Sequence, residues 1–425
     1  MKKILAVIVI ITGLLPSLLM AEPVHIDIEA RGFKRLKVAM PAFAGSRALA
    51  DSIRSICAKD LEISGAFSLI DPKGYVNPGP MSFVDPSSLP GWNLIGADYV
   101  IAARVDVQDS LVNLVIQAVE LSTSRVLINT VYTTKADTAY RAVHAFMDSF
   151  LNKTLGLDPL FSSKFVAVQK IGKKKQLYTV WCDGTGAAPI KGGGELVLDP
   201  AWSPDGKKIA FVSYWRNNPD LYVLDIASFK VDTISSYRGI NTTPAFDTSG
   251  RKIACTLSKD GDPEIYMMDR DGKNPLRLTN SWAIDTSPSF SPDGKRLVFC
   301  SSRAGNPHIY LMDVFSRKAD RITFQGTYNT EPVFSPKGDL VAFTYLSKPD
   351  GRYHIALIRP DGSGMRVLQG TGKGDESPTF SPDGRLVAFT STDGNIYITD
   401  LIGSFTARVT AGGGFSQPSW SKALE

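Results

Sequence analysis

Cysteine and histidine are scarce in this chain, with four of each among 425 residues. The cysteines, Cys57, Cys182, Cys255 and Cys300, form no C-x-x-C pair, which excludes zinc-ribbon and thioredoxin-like patterns. Cys57 falls in a helical pattern. Cys255 and Cys300 sit one position out of step in equivalent strands and so point to opposite faces. Buried free thiols are expected rather than disulfides. His25, His144, His308 and His354 are scattered without H-x-x-x-H spacing, so neither a metal ligand set nor a cofactor site is expected. No G-x-S-x-G stands anywhere, which removes the nucleophile elbow of a propeller-linked hydrolase. Charge of one sign is also lacking. The net charge is +5, of which Lys2 and Lys3 supply two, leaving no electrostatic footprint for nucleic acid or anionic lipid.

Long apolar runs are missing except at the start. Lys2 and Lys3 precede an apolar stretch from Ile4 to Leu15, Pro16 breaks it, and Leu19-Met20-Ala21 offers a cleavage site before Glu22. Residues 1–21 therefore read as a secretory signal peptide, too short in its apolar core for a membrane span. No cysteine follows the cleavage site, so no lipid anchor is expected. The mature chain is expected to be exported and not inserted in a membrane.

What is abundant is a repeat. Pro200-Ala-Trp-Ser-Pro-Asp-Gly206, Pro244-Ala-Phe-Asp-Thr-Ser-Gly250, Pro288-Ser-Phe-Ser-Pro-Asp-Gly294, Pro332-Val-Phe-Ser-Pro-Lys-Gly338 and Pro378-Thr-Phe-Ser-Pro-Asp-Gly384 are five copies, and Pro418-Ser-Trp-Ser421 is a truncated sixth. The leading prolines lie 44, 44, 44, 46 and 40 residues apart, a period that suits one four-stranded propeller blade. Ser-Pro-Asp-Gly is a tight turn in which proline presets φ and glycine closes. A β-branched, aromatic strand follows each turn, and then a strand ending in aspartate, such as Leu221-Tyr-Val-Leu-Asp225. The chain joins the repeats at Lys164-Phe-Val-Ala-Val168, which matches a second strand, while a first strand is left over around Gln417 to Ser421. Six blades result if the last strand completes the first blade, which removes exposed sheet edges.

Residues 22–158 have another texture and predict a two-layer α/β domain, with the propeller filling residues 159–425. Val24 to Ile28 and Leu36 to Met40 alternate as strands. Leu49, Ile53, Ile56, Cys57 and Leu61 share a helical face. Five prolines between Pro72 and Pro90 mark an irregular connection. Strands are expected near 99–107, 111–120 and 125–134, and a second amphipathic helix from Asp137 carries Val143, Met147, Phe150 and Leu151. Asp269-Arg-Asp-Gly272, Asp183-Gly184 and Asp361-Gly362 lack the glutamate of a calcium loop and read as hairpin turns. The basic run from Lys170 to Lys175 reads as a solvated turn.

A P-x-[FW]-S-P-D-G propeller behind a signal peptide and a small α/β domain resembles the TolB family of the Tol–Pal system. Leu61-Glu-Ile-Ser-Gly-Ala-Phe67 followed by Asp71 is similar to that family's helix exit. The resemblance implies a non-enzymatic periplasmic protein. It implies a channel mouth that binds the lipoprotein Pal, and a mature N-terminal arm that binds the C-terminal domain of TolA. It also implies a role in outer-membrane invagination during division and in envelope integrity. The mouth residues, each just ahead of a repeat proline, are Asp199, Asn241, Thr242, Thr243, Asp285, Thr286, Ser287, Thr330, Glu331, Asp375, Glu376, Ser377 and Gln417. The arm is Glu22, Pro23, Val24, His25, Ile26, Asp27 and Ile28, within residues 22–33. It is either a partner-binding strand or the first strand of the front domain. Other envelope proteins remain open as partners. The alternatives are a periplasmic propeller with a cell-wall or polysaccharide client and, remotely, a propeller-associated hydrolase.

Overall fold

The structure, a computed structural model, describes residues 35–76 and 79–424. The expected signal peptide and the arm at 22–33 lie outside the described residues. Among the described residues no helix is long and apolar enough to cross a membrane.

The front domain is built on one sheet. Its elements are β1 (Leu36–Ala39), β2 (Ala44–Gly45), α1 (Arg47–Ile63), β3 (Phe67–Leu69), α2 (Leu89–Leu94), β4 (Tyr99–Gln108), β5 (Leu111–Glu120), β6 (Arg125–Lys135) and α3 (Ala139–Leu155). The strand order is β3-β1-β4-β5-β6, with β2 paired to β4. β1 runs parallel to β3 and β4, while β4, β5 and β6 form an antiparallel meander. Alternation along β4 decides what covers each face. Tyr99 meets Phe150 of α3 at 5.4 Å between ring centroids, whereas Val100 and Ala102 pack with Trp92 and Tyr75. The described parts of the proline-rich connection therefore carry more structure than its punctuation suggested. Asp71 and Asp85 each accept a backbone N–H bond that closes a 3₁₀ turn, from Lys73 and Ser87, and Trp92 of α2 is buried against the sheet.

The two long helices follow their apolar stripes. Ala50, Ile53, Cys57 and Leu61 of α1 are buried, as are Val143, Met147, Phe150 and Leu151 of α3. Gly156 closes α3 in the left-handed conformation, with φ 66°, where a side chain would be strained. The chain then reaches the propeller through a junction held by Asp148. Its carboxylate accepts N–H bonds from Leu160 and Phe161 at 2.7 Å and from Ser162 at 2.9 Å.

Six four-stranded sheets follow. The first blade is completed by the C-terminal strand Phe415–Trp420, which pairs with Lys164–Ile171. Trp420 lies 4.5 Å from Phe165 between ring centroids, and its indole N–H donates to Ser163 Oγ at 2.8 Å. The inner strands of blades two to six are Val197–Trp202, Asn241–Phe246, Asp285–Phe290, Asn329–Phe334 and Asp375–Phe380. All six show the same register shift across the repeat proline. Proline has no N–H to give the ladder, so it sits at a bulge. The Asp-Gly pairs lie in turns between third and fourth strands. There a Cβ at Gly184 or Gly272 would fall 2.0 or 2.1 Å from the carbonyl oxygen of Val409 or Ile234 in the preceding blade. All four cysteines are free and buried.

Candidate protein-docking face

The residue ahead of each repeat proline is where the fold concentrates its strain. Asp199, Thr243, Ser287, Glu331, Ser377 and Gln417 all have positive φ, between 48° and 55°, a region that non-glycine residues seldom occupy. The bulge turns these residues toward the axis, where their side chains bridge blade to blade. Gln417 Oε1 accepts from the Asp199 N–H at 3.1 Å, and Asp199 Oδ2 accepts from the Thr243 N–H at 3.3 Å. Thr243 Oγ1 accepts from the Ser287 N–H at 3.3 Å, and Glu331 Oε2 from the Ser377 N–H at 2.9 Å. Four of the six steps round the axis are thus bridged. Burial pushes the Asp199 carboxyl up to about 6 against the help of the Thr243 N–H, and Glu331 adds to the rise. Burial also raises Glu376, with Glu331 and Asp375 reinforcing it.

The structure brings most of the expected mouth residues together, with a division of labour. Asp199, Thr242, Thr243, Thr286, Ser287, Thr330, Glu331, Glu376, Ser377 and Gln417 are half-buried along the inner strands. Asn241, Asp285 and Asp375 are fully buried, unlike the rest of the ring. Each is the first residue of its strand and is spent on shaping the loop before it. Asn241 accepts from Ser235 Oγ at 2.6 Å and donates to the Tyr237 carbonyl at 2.6 Å. Asp285 accepts from Ser281 Oγ of that loop at 3.4 Å and pairs with Arg303 of the next strand at 2.6 Å. Asp375 accepts from the Thr371 N–H at 2.8 Å.

Around this ring stand side chains that the sequence reading passed over. In an antiparallel blade the loops leading into the inner strand and those between second and third strands share one face. That face carries Trp215 (53 % exposed), Trp282 (76 %), Ile284 (54 %) and Phe324 (72 %), with Tyr237, Ile240 and Tyr328 partly exposed. Exposed aromatics on one face of a rigid scaffold are a feature that protein interfaces use. Neighbouring loops are tied to each other: Lys259 Nζ lies 5.5 Å over the Tyr237 ring, and Tyr328 meets Tyr353 at 6.1 Å. The opposite face also exposes Phe229, Phe315 and Ile402, but singly, on turns between the two outer strands and so away from the axis. The missed signal was available: a tryptophan inside a short polar loop, as in Asn280-Ser-Trp282 or Trp215-Arg-Asn-Asn218, has no core to fill.

The front domain packs against those opposite turns. Arg385, in the turn after the sixth inner strand, donates to the Ser64 carbonyl at 3.5 Å, and the Arg35 guanidinium lies 5.1 Å over Phe405. A groove of about 810 Å³ runs along this seam, lined by Arg35, Ile56, Phe67, Leu69, Asp183 and Thr185 among others. Deeper in the seam, His144 of α3 stands between Asp60 of α1 and the Asp183 turn of the first blade. Among the described residues this is the one grouping dense enough in donors to invite comparison with a metal centre. Asp60 already holds Nδ1 at 2.9 Å, and three donors fall short of the four in a structural zinc site. Reading each histidine as isolated overlooked this grouping. The available signal was an aspartate, Asp60, on the apolar stripe of α1 between Cys57 and Leu61.

The class defined by this geometry is a six-bladed propeller with one face open as a ring of loops and an α/β domain seated on the other. Residues 152–424 match the family model of the TolB beta propeller domain, and residues 24–121 match that of the TolB amino-terminal domain. The chain belongs to the TolB family. It is 30 % identical over 207 residues to the Tol-Pal system protein TolB of Xylella fastidiosa and 32 % identical over 229 residues to that of Albidiferax ferrireducens. These alignments take in 48 % and 51 % of this chain and 47 % and 51 % of the relatives, so the chain spans about half the length of the curated relatives it matches. The crystal structure of TolB from Acinetobacter baumannii aligns with a TM-score of 0.78 at 26 % identity, over 92 % of this chain and 97 % of that one.

Proposed function

We propose that this chain is the periplasmic propeller component of a Tol–Pal system, exported by residues 1–21 and working by binding proteins rather than by catalysis. Its domains would then be residues 22–158 and 159–425. Pal would dock on the ring of loops, with Thr242, Thr243, Thr286, Ser287, Thr330, Glu331, Glu376, Ser377, Gln417 and Asp199 at its centre. TolA would take the arm at residues 22–28. That arm lies a few residues ahead of Arg35, which lines the seam groove. Through these contacts the chain would help the outer membrane follow the inner one at division and keep the envelope intact.

The observation that carries this reading is the gathering of Trp215, Trp282, Ile284 and Phe324 on the face opposite the front domain. Large aromatics in loops on a rigid scaffold supply the anchors of a protein interface. The family membership supports the choice of partner. Titration calorimetry of the mature chain with the soluble domain of Pal from the same organism tests it. Trp282→Ala, at an exposed site, is expected to leave the melting temperature unchanged and to weaken binding by about tenfold or more. Thr243→Arg, in a folded protein, is expected to abolish it. Absence of binding by the unaltered chain would defeat the Pal assignment.

A further inference from the structure

The seam between the front domain and the first blade contains a buried trio of titratable side chains that the partner reading leaves unused. His144 Nδ1 lies 2.9 Å from Asp60 Oδ2, and its Nε2 faces Thr185 Oγ1 at 3.4 Å and Asp183 Oδ1 at 3.7 Å. All three titratable side chains are essentially inaccessible, at 1 % or less. Asp60 Oδ1 and Asp183 Oδ2 are buried and have no hydrogen-bond partner. A buried carboxylate oxygen without a donor is costly while ionised and comfortable once a proton sits on the group. We infer that Asp60, His144 and Asp183 form a proton-held latch between the front domain and the propeller, tightening as pH falls and loosening as it rises.

The surroundings leave protons as the available positive charge. From α1 the cluster meets Cys57, with Arg54 a turn away and donating to the carbonyls of Met40 and Pro41. From α3 it meets Tyr140 and Asp148, the latter committed to the N–H groups of the junction. From the first blade it meets Trp181, Cys182 and Thr185. Of the nearby cations, Lys164 lies over the Trp181 ring, 4.2 Å from its centroid, and Arg141 of α3 lies over the Tyr140 ring at 5.9 Å. Among the described residues the ion pairs of Asp60 and Asp183 are with His144. With two protons on the trio the net charge is zero, and each proton lost leaves a negative charge sealed in the seam. Burial pushes Asp60 up to about 7, although His144 pulls it down. Burial works against the His144 imidazolium too, but Asp60, Asp183 and Asp148 outweigh it and raise its pKa.

The sign follows from linkage. Both groups hold protons more tightly with the seam closed than when solvated. Opening therefore releases protons and becomes easier as pH rises, by about tenfold per pH unit for each proton released. For Asp60 the window runs from the ordinary carboxylate range to about 7, and for His144 it extends upward from the ordinary imidazole value. Because Asp183 and Thr185 also line the seam groove, loosening the latch widens access to it.

Two measurements on the full mature chain test the latch. Nitrogen NMR of the histidine rings, with His144 assigned by a His144→Gln sample, should show His144 charged at pH 6 and titrating above the ordinary imidazole value. A neutral His144 ring at pH 6 overturns the proposal. Hydrogen exchange at pH 5.5, 7.0 and 8.5, corrected for the intrinsic rate, should show protection of segments 139–155 and 181–186 falling at least tenfold. Asp60→Asn should flatten that dependence while circular dichroism reports an intact fold. Protection that stays within twofold across the range in the unaltered chain, or the same slope in Asp60→Asn, contradicts it. Should Asp60→Asn fail to fold, the histidine titration of the unaltered chain decides.

Discussion

Pro200, Pro244, Pro288, Pro332, Pro378 and Pro418 each force a bulge, and the bulge forces the preceding residue into positive φ. Sequence periodicity showed where those residues stand but not what they do. Asn241 and Asp285 belong to the same tripeptides as Thr243 and Ser287, yet their side chains turn inward to hold loops. Period-2 alternation breaks at a bulge, so orientation could not be counted along the strand. Asp199 offers a test at this scale. Its carboxyl is raised to about 6 by burial, so the folded chain binds more protons there than the unfolded chain between about pH 4 and 6. Its contribution to stability therefore falls as pH rises through that window and stays low above it. Asp199→Asn is expected to gain stability relative to the unaltered chain on going from pH 4.5 to pH 7.5, read by urea denaturation at each pH.

Individual elements were legible where a strict pattern met a plain boundary. β4, β5 and β6 lie within a residue of their expected limits, because alternation and short polar turns define both ends. The segment before β4 was not legible as structure: Trp92 and Tyr75 find their burial across the sheet, in contacts distant in sequence. The C-terminal strand was legible because a truncated repeat at one end matched a missing strand at the other. Trp420 fastens that closure through Phe165 and Ser163. Trp420→Ala is expected to destabilise the propeller by about 3–5 kcal/mol, measured by chemical denaturation. Removal of residues 415–425 should abolish a single cooperative unfolding transition, since the first blade would present an unpaired edge.

At the scale of the whole molecule the two faces of the ring are built differently. One is occupied by the front domain through the Ser64, Phe405 and His144 contacts. The other presents aromatics around a hydrogen-bonded belt. The repeat made the ring readable and the resemblance gave the family. The division of faces required the structure, because the loop aromatics are spread along the chain from Trp215 to Phe324 and the Asp60–His144 pair joins residues 84 positions apart. The most direct test of this division is a hydrogen-exchange footprint of the mature chain with and without the soluble domain of Pal. The prediction is protection in segments 236–243, 280–287 and 324–331, with no direct footprint on the turns around Phe229 and Phe315. Protection confined to those turns, or to the front domain, would contradict the docking face assigned to this chain.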